Sequence, residues 1–340
     1  MWGRPFDFDT DRAGSGDEPG VKRILVAFLG IVAACSSSSN EDASNAGGAA
    51  GGTASSSDRG SSPSTSSAAN DGGGVTIDAA ASSSTRSACK RGVAYGHHST
   101  ADLRALSKRV TWWYNWTFVP DDGVKDTFKS LDVEYVPMVW GPNVDLGQVG
   151  AAIAPGETTL LGFNEPNFGS QSNLSAKDAA SRWPKVQAVA DAHSLKLLSP
   201  AVNFCGGNCQ NTDPFAYLAD FLAACPGCRV DALAVHLYVG CQGANGNKAQ
   251  YMIDHLKTYE SKFSQPLWLT EFACDDAKSD DDQKAFLVDA VKYLESDPRI
   301  ARYAFFSGRA DNVGHASLLG ADGQLTSIGQ AYVDAPATCD

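Results

Sequence analysis

The chain has 340 residues, with 27 Lys and Arg against 39 Asp and Glu, a formal net charge of −12. No basic run longer than Lys90-Arg91 occurs in its apolar C-terminal part. That excludes a nucleic-acid binder, which concentrates positive charge to engage phosphates, and suits a soluble domain acting on neutral or cationic partners.

Residues 1–20 carry several acids and prolines ahead of the dibasic pair Lys22-Arg23, and read as an extension in front of a true translation start at Val21. From there residues 21–35 form a leader: Lys22-Arg23, the apolar run Ile24–Ala34 (ILVAFLGIVAA), then Cys35 and a serine tract. A basic start, a short apolar segment and small residues at its end make a secretory signal. The segment is too short for a stable membrane span, which takes about 20 apolar residues. The ending Val32-Ala-Ala-Cys35 resembles a bacterial lipobox, which implies lipidation of Cys35 and an extracytoplasmic protein of the cell envelope, or a secreted one. Residues 36–87 are almost entirely Ser, Ala, Gly, Asn, Asp and Thr. They hold too little apolar surface to offset chain entropy and read as a disordered linker.

The remainder, residues 89–340, suits one large α/β domain or two small ones. Eight apolar, β-branched or aromatic runs read as strands: Val93–His98, Val110–Trp116, Val133–Trp140, Thr159–Asn164, Lys196–Asn203, Ala232–Val239, Pro266–Ala273 and Ala301–Ser307. Between them, apolar residues at three- and four-residue spacing predict helices, most clearly over 176–192, 214–224, 248–263 and 281–294. Ser175 and Ser279 read as helix N-caps, and Asp280-Asp281-Asp282 as an acidic first turn rather than a calcium loop. Trp183-Pro184 is expected to kink or divide its helix. Eight strands alternating with helices predict a (β/α)8 TIM barrel behind a disordered N-terminal region. The rival, a doubly wound sheet, lacks a glycine-rich turn after the first strand.

In such a barrel the C-terminal strand ends share one face, where the loops build the active site. Here they carry Tyr95, His97 and His98; Trp113, Asn115 and Trp116; Met138 and Trp140; Asn164 and Glu165; Asn203; His236 and Tyr238; Glu271; and Phe305, Phe306 and Ser307. Two strand-end carboxyls in an aromatic cleft suit glycoside hydrolysis, in which one protonates the leaving oxygen and the other attacks the anomeric carbon or activates water. Asn164 is placed to reach a sugar 2-OH, and flat rings suit the C–H faces of a pyranose. His97 and His98 have no Cys, Asp or Glu nearby to complete a metal set, so no metal and no cofactor is expected.

The motifs PMVWG (137–141), LLGFNEPN (160–167), SPAV (199–202), DALAVHLY (231–238), PLWLTEFAC (266–274) and SLLGADGQLTSIGQAY (317–332) together resemble glycoside hydrolase family 128, whose characterised members are endo-β-1,3-glucanases of the clan of retaining (β/α)8 glycosidases. The resemblance implies a retaining endo-β-1,3-glucanase with Glu165 as acid/base and Glu271 as nucleophile, lined by Asn164, His236 and Tyr238. Trp113, Trp116, Trp140 and Phe305 are candidate sugar platforms. The alternatives are another β-glycosidase of the clan, acting on β-mannan, xylan or β-1,4-glucan, or an inactive glucan-binding surface protein. Many of these barrels end the eighth strand in Trp; here the stretch reads YAFFSG (303–308), with Phe305 and Phe306 instead. The implied partner is a β-glucan polysaccharide, met by a monomer that touches a membrane only through its anchor.

Leaving Cys35 aside, eight cysteines remain in an exported chain, an even number that predicts disulfides. The barrel brings Cys89 toward Cys339 and Cys241 toward Cys274, and leaves Cys205–Cys209 and Cys225–Cys228 as local loops.

Overall fold

The computed structural model describes residues 89–337. Val21, the leader, Cys35, the 36–87 linker and Cys339 lie outside the described residues, so the expected lipidation and the Cys89–Cys339 pairing fall there too. The strands are β1 (Arg91–Ala94), β2 (Trp112–Tyr114), β3 (Glu134–Tyr135), β4 (Thr159–Leu160), β5 (Lys196–Leu197), β6 (Leu233–Val239), β7 (Leu267–Cys274) and β8 (Ile300–Phe305). The helices are α1 (Thr100–Leu106), α2 (Leu146–Ala152), α3 (Ala176–Ala192), α4 (Pro214–Ala224), α5 (Gln250–Lys262), α6 (Asp280–Ser296) and α7 (Ser327–Asp334). A 3-10 turn at Phe128–Leu131 takes the helical place between β2 and β3.

Six strands pair side by side in the order β3-β2-β1-β8-β7-β6, and β4 pairs with β5. All these pairings are parallel. Single parallel bridges complete the circle: Met138 to Leu161 joins β3 to β4, and Leu198 to Ala232 and Val202 to Val235 join β5 to β6. The expected (β/α)8 barrel is the observed architecture. Parallel neighbours require crossover connections, and helices supply them here.

Side chains on alternate strand positions fill the barrel. The indoles of Trp112 on β2 and Trp268 on β7 meet with centroids 5.1 Å apart, although β1 and β8 separate their strands, so this contact crosses the interior. The Arg302 guanidinium lies 4.8 Å over the Trp268 ring and pairs with Glu134 at 2.7 Å. β1 accommodates Trp112 by having Gly92 beside it, where any Cβ would come within 2.3 Å of the indole. Gly162 does the same on the outer side of the LLGFNEPN stretch: a Cβ there would meet Trp183 of α3 at 2.7 Å and the Leu198 carbonyl at 2.9 Å. That glycine is why the helix can lie close against the segment that delivers Glu165.

Helices α3 and α4 have the bounds read from periodicity, while α5 is trimmed by two residues at its start and one at its end, and α6 extends to Asp280–Ser296. Ser175 and Ser279 cap their helices through the Asp178 and Asp282 amides. The three aspartates opening α6 complement the positive end of the helix dipole. Of the two outcomes expected at Pro184, a kink or a division, the division does not occur: α3 runs unbroken through it. Trp183 is wholly buried against Phe163 and Phe221. That packing outweighs the one backbone hydrogen bond a proline removes. Disulfides join Cys205 to Cys209, Cys225 to Cys228 and Cys241 to Cys274.

Candidate active site

Glu165 follows the β4 segment and sits with φ +37°, a left-handed conformation that a residue with a Cβ rarely adopts. Pro166 removes the option of continuing in a helix. The turn aims the carboxyl inward, where it is 2 % exposed. Asn203, beyond β5, donates its Nδ2 to Glu165 Oε1 at 3.1 Å, and His236 Nδ1 lies 3.0 Å from the same oxygen.

Glu271 on β7 is equally enclosed, at 3 % exposure. Its Oε1 accepts from Tyr114 Oη and from Trp116 Nε1, each at 2.8 Å, and its Oε2 accepts from Tyr238 Oη. His236 Nδ1 lies 3.4 Å from that second oxygen. One carboxylate oxygen from each glutamate and one nitrogen of His236 all fall within 4.8 Å of one another. A single imidazole thus bridges two buried carboxyls that arrive from opposite parts of the ring.

The electrostatics follow from that enclosure. Burial opposes a charged His236, but the charges of Glu271 and Glu165 and the hydrogen bond to Glu165 overcome it, and its pKa is raised. Burial likewise raises the Glu271 carboxyl; His236 and the donors Tyr238 and Trp116 pull back, while the Glu165 charge adds to the rise. Burial and then the Glu271 charge push the Tyr114 and Tyr238 phenols well up, so both remain protonated donors. The three donor atoms of Glu165, His236 and Glu271 have the spacing of a metal set, but their mutual hydrogen bonds already use the atoms a cation would need. Cys241, Cys274 and Asp276 also cluster. The two sulfurs there are bonded to each other and offer no thiolate.

Around the pair, Trp116 is half-buried and meets Tyr114 and Phe306 edge-on at 5.5 and 5.8 Å; Phe306 in turn meets Tyr238 at 5.5 Å. Trp140 is half-buried, and its carbonyl accepts the Asn164 amide at 2.9 Å. Asn164 donates Nδ2 to Gln171 at 3.3 Å, and its buried Oδ1 has no partner among the described residues. That oxygen is an acceptor awaiting a donor.

Two expected platforms are not at the rim. Trp113 is wholly buried between Phe128 and Tyr135, each 5.1 Å away, on the outer side of β2. Phe305 is wholly buried against Phe272 and Tyr332, outside β8. The reason is strand alternation: one position along, Tyr114 and Phe306 face inward in their place. Tyr114 was absent from the sequence reading, although Trp112, Tyr114 and Trp116 form a period-two aromatic row.

His98 is also away from the pair, 2 % exposed, edge-on to Tyr95 at 4.7 Å and Trp113 at 6.3 Å. Neither of its ring nitrogens has a partner among the described residues, and burial lowers its pKa to about 4. An unfolded histidine titrates near 6.5, so the unfolded chain binds the extra proton between those values and folding weakens as pH falls through them. Between pH 7 and 4.5 the wild type should lose about 2 kcal/mol more than His98→Phe, read from urea unfolding at the two pH values. Equal losses would mean that His98 titrates normally.

The sequence profile of the family described as glycosyl hydrolase catalytic core matches residues 92–332. The crystal structure of a GH128 subgroup II endo-β-1,3-glucanase from Sorangium cellulosum is 62% identical, covers 73% of this chain and 99% of that one, and superposes with a TM-score of 0.72. A GH128 subgroup I endo-β-1,3-glucanase from Amycolatopsis mediterranei, in complex with laminaritriose, is 27% identical over 73% of this chain and 99% of its own, with a TM-score of 0.59. Among curated proteins, alkali-sensitive linkage protein 1 of Schizosaccharomyces pombe is 28% identical over 260 residues. That match takes in 72% of this chain but only 44% of the length of the yeast protein.

Proposed function

The chain belongs to the glycosyl hydrolase catalytic core family, and from that premise we propose that it is a retaining endo-β-1,3-glucanase using Glu165 and Glu271. The observation that carries this reading is the closeness of the two carboxyls, with nearest oxygens inside 4.8 Å. A retaining pair stands about 5–5.5 Å apart, whereas an inverting pair leaves roughly 6.5–9.5 Å for a water. The substrate class is carried by the solved relatives, one of which holds laminaritriose.

Each step has its residue. Glu271, held by Tyr114, Trp116 and Tyr238, attacks the anomeric carbon as the glycosidic C–O bond breaks. Glu165 gives its proton to the departing sugar oxygen. The resulting glycosyl ester on Glu271 is opened by water, whose proton returns to Glu165 as the second inversion restores the configuration. His236 holds the two carboxyls in one frame, and the unpaired Asn164 Oδ1 accepts from the sugar 2-OH. Trp116, Trp140 and Phe306 supply the ring faces. The leader read in residues 21–35 supports placing this activity outside the cytoplasm, tethered through Cys35 with residues 36–87 as the stalk.

Incubation with linear β-1,3-glucan, mannan, xylan and cellulose, followed by proton NMR and chain-length analysis, tests the reading. Mixed oligosaccharides from the β-1,3-glucan alone, with the β-anomer appearing first, are expected. An α-anomer appearing first would overturn retention, and selective cleavage of another polymer would overturn the substrate.

A further inference from the structure

We infer that the Cys241–Cys274 disulfide, together with Asp276 and Gln283, is a register lock that positions Glu271 and Tyr238; this rests on the reading of Glu271 as a catalytic group. The need for a lock arises from the pairing of β6 with β7. Up to Val235 and Leu269 the two strands advance together, and then His236 pairs with Glu271, so β7 carries one residue more at Thr270. β7 also loses register with β8 between Leu269 and Phe272. The strand that delivers the nucleophile is therefore bulged on both sides just before it does so. A bulge re-aims the following side chain, but it also interrupts the ladder, so the rungs beyond it are held apart from those before it.

Only four rungs follow the bulge: His236 with Glu271, Leu237 with Phe272, Tyr238 with Ala273, and Val239 with Cys274. A slip of one residue there would send every side chain to the opposite face. Glu271 would leave the interior, and Tyr238 would lose its carboxylate. The disulfide stands at the end of this short ladder, joining chain positions 33 residues apart, with its Cα atoms 5.3 Å apart. The other two described disulfides close loops of only three or four residues. Asp276 Oδ1 accepts the Cys241 amide at 2.8 Å, and the Asp275 amide donates to the Val239 carbonyl at 3.1 Å. From α6 the buried Gln283 amide, in the orientation that satisfies both of its ends, donates to the Cys274 carbonyl at 3.2 Å and accepts its N–H at 3.3 Å. Cys274 is thus held through its sulfur, its carbonyl and its amide, three residues past Glu271. None of these groups touches the carboxylate; they act on it through the strand.

The test compares the wild type with Cys241→Ala/Cys274→Ala, with Asp276→Ala and Asp276→Asn, and with Cys225→Ala/Cys228→Ala as the remote control. On soluble β-1,3-glucan the Cys241/Cys274 variant should lose about tenfold in kcat with KM within about twofold, since small misplacements act on the chemical step. Its pH–rate profile should shift, and the control should match the wild type. Asp276→Ala should fall several-fold and Asp276→Asn, which keeps the acceptor oxygen, should recover. Hydrogen exchange of the amides of residues 271–274 should quicken about tenfold in the Cys241/Cys274 variant while β1 amides keep their protection. A folded Cys241/Cys274 variant with wild-type kcat, pH profile and exchange would overturn the lock, as would equal behaviour of the two Asp276 variants. Should the double variant fail to fold, the Asp276 pair decides through kcat and the exchange of residues 271–274. The exchange arm needs no substrate, so a wild type inactive on every glucan would count against the functional reading and leave the lock to be judged by exchange.

Discussion

Glu271→Gln will abolish β-1,3-glucan hydrolysis, lowering kcat by about 10⁴-fold or more, while the protein folds and melts nearly as the wild type does. The amide is nearly isosteric with the carboxylate and can still accept from Tyr114 and Trp116. It places its own N–H₂ against the Tyr238 hydroxyl, which can rotate to accept, so the packing is kept and only the nucleophile is lost. Single-turnover assays should detect no glycosyl-enzyme by intact mass. Activity within tenfold of wild type would remove Glu271 from the chemistry.

Glu165→Gln will behave differently, and the difference identifies its role. On the polymer it should cost roughly 10²–10⁴-fold, the span of general acid–base assistance. With an activated aryl β-glycoside, whose leaving group departs unprotonated, bond cleavage should stay fast and ester hydrolysis should become limiting. A burst of aryl alcohol and a trapped mass on Glu271 are then expected, neither of which Glu271→Gln can give. Equal losses on polymer and aryl glycoside would show that Glu165 is not the proton donor.

Much of this was legible in the chain before folding. The strand and helix rhythm predicted the barrel, and helix bounds such as Ala176–Ala192 and Pro214–Ala224 followed from spacing and caps because those signals are local. What was not legible was strand phase. Which of two neighbouring aromatics faces inward depends on how a strand meets its partners, and the β7 bulge changes that count at Thr270. Hence Trp113 and Phe305 were expected at the rim and lie in the outer layer, while Tyr114 and Phe306 stand inside. At Pro184 the local cost was readable, but the tertiary packing of Trp183 that accompanies an undivided helix was not.

The ring of strands is closed in two ways around its circumference. β6, β7, β8, β1, β2 and β3 form one continuous ladder, whereas the β4–β5 pair is joined to it by one bridge on one side and two on the other. Yet three backbone hydrogen bonds cross each junction: the Leu161, Val139 and Asn164 amides donate to Pro137, Leu161 and Trp140 on one side, and the Asp231, Ser199 and His236 amides to Leu197, Ala232 and Val202 on the other. Glu165 follows β4, and Glu271 stands on β7 of the six-stranded ladder. The spacing of the two glutamates is thus set by the same backbone bonds that close the ring.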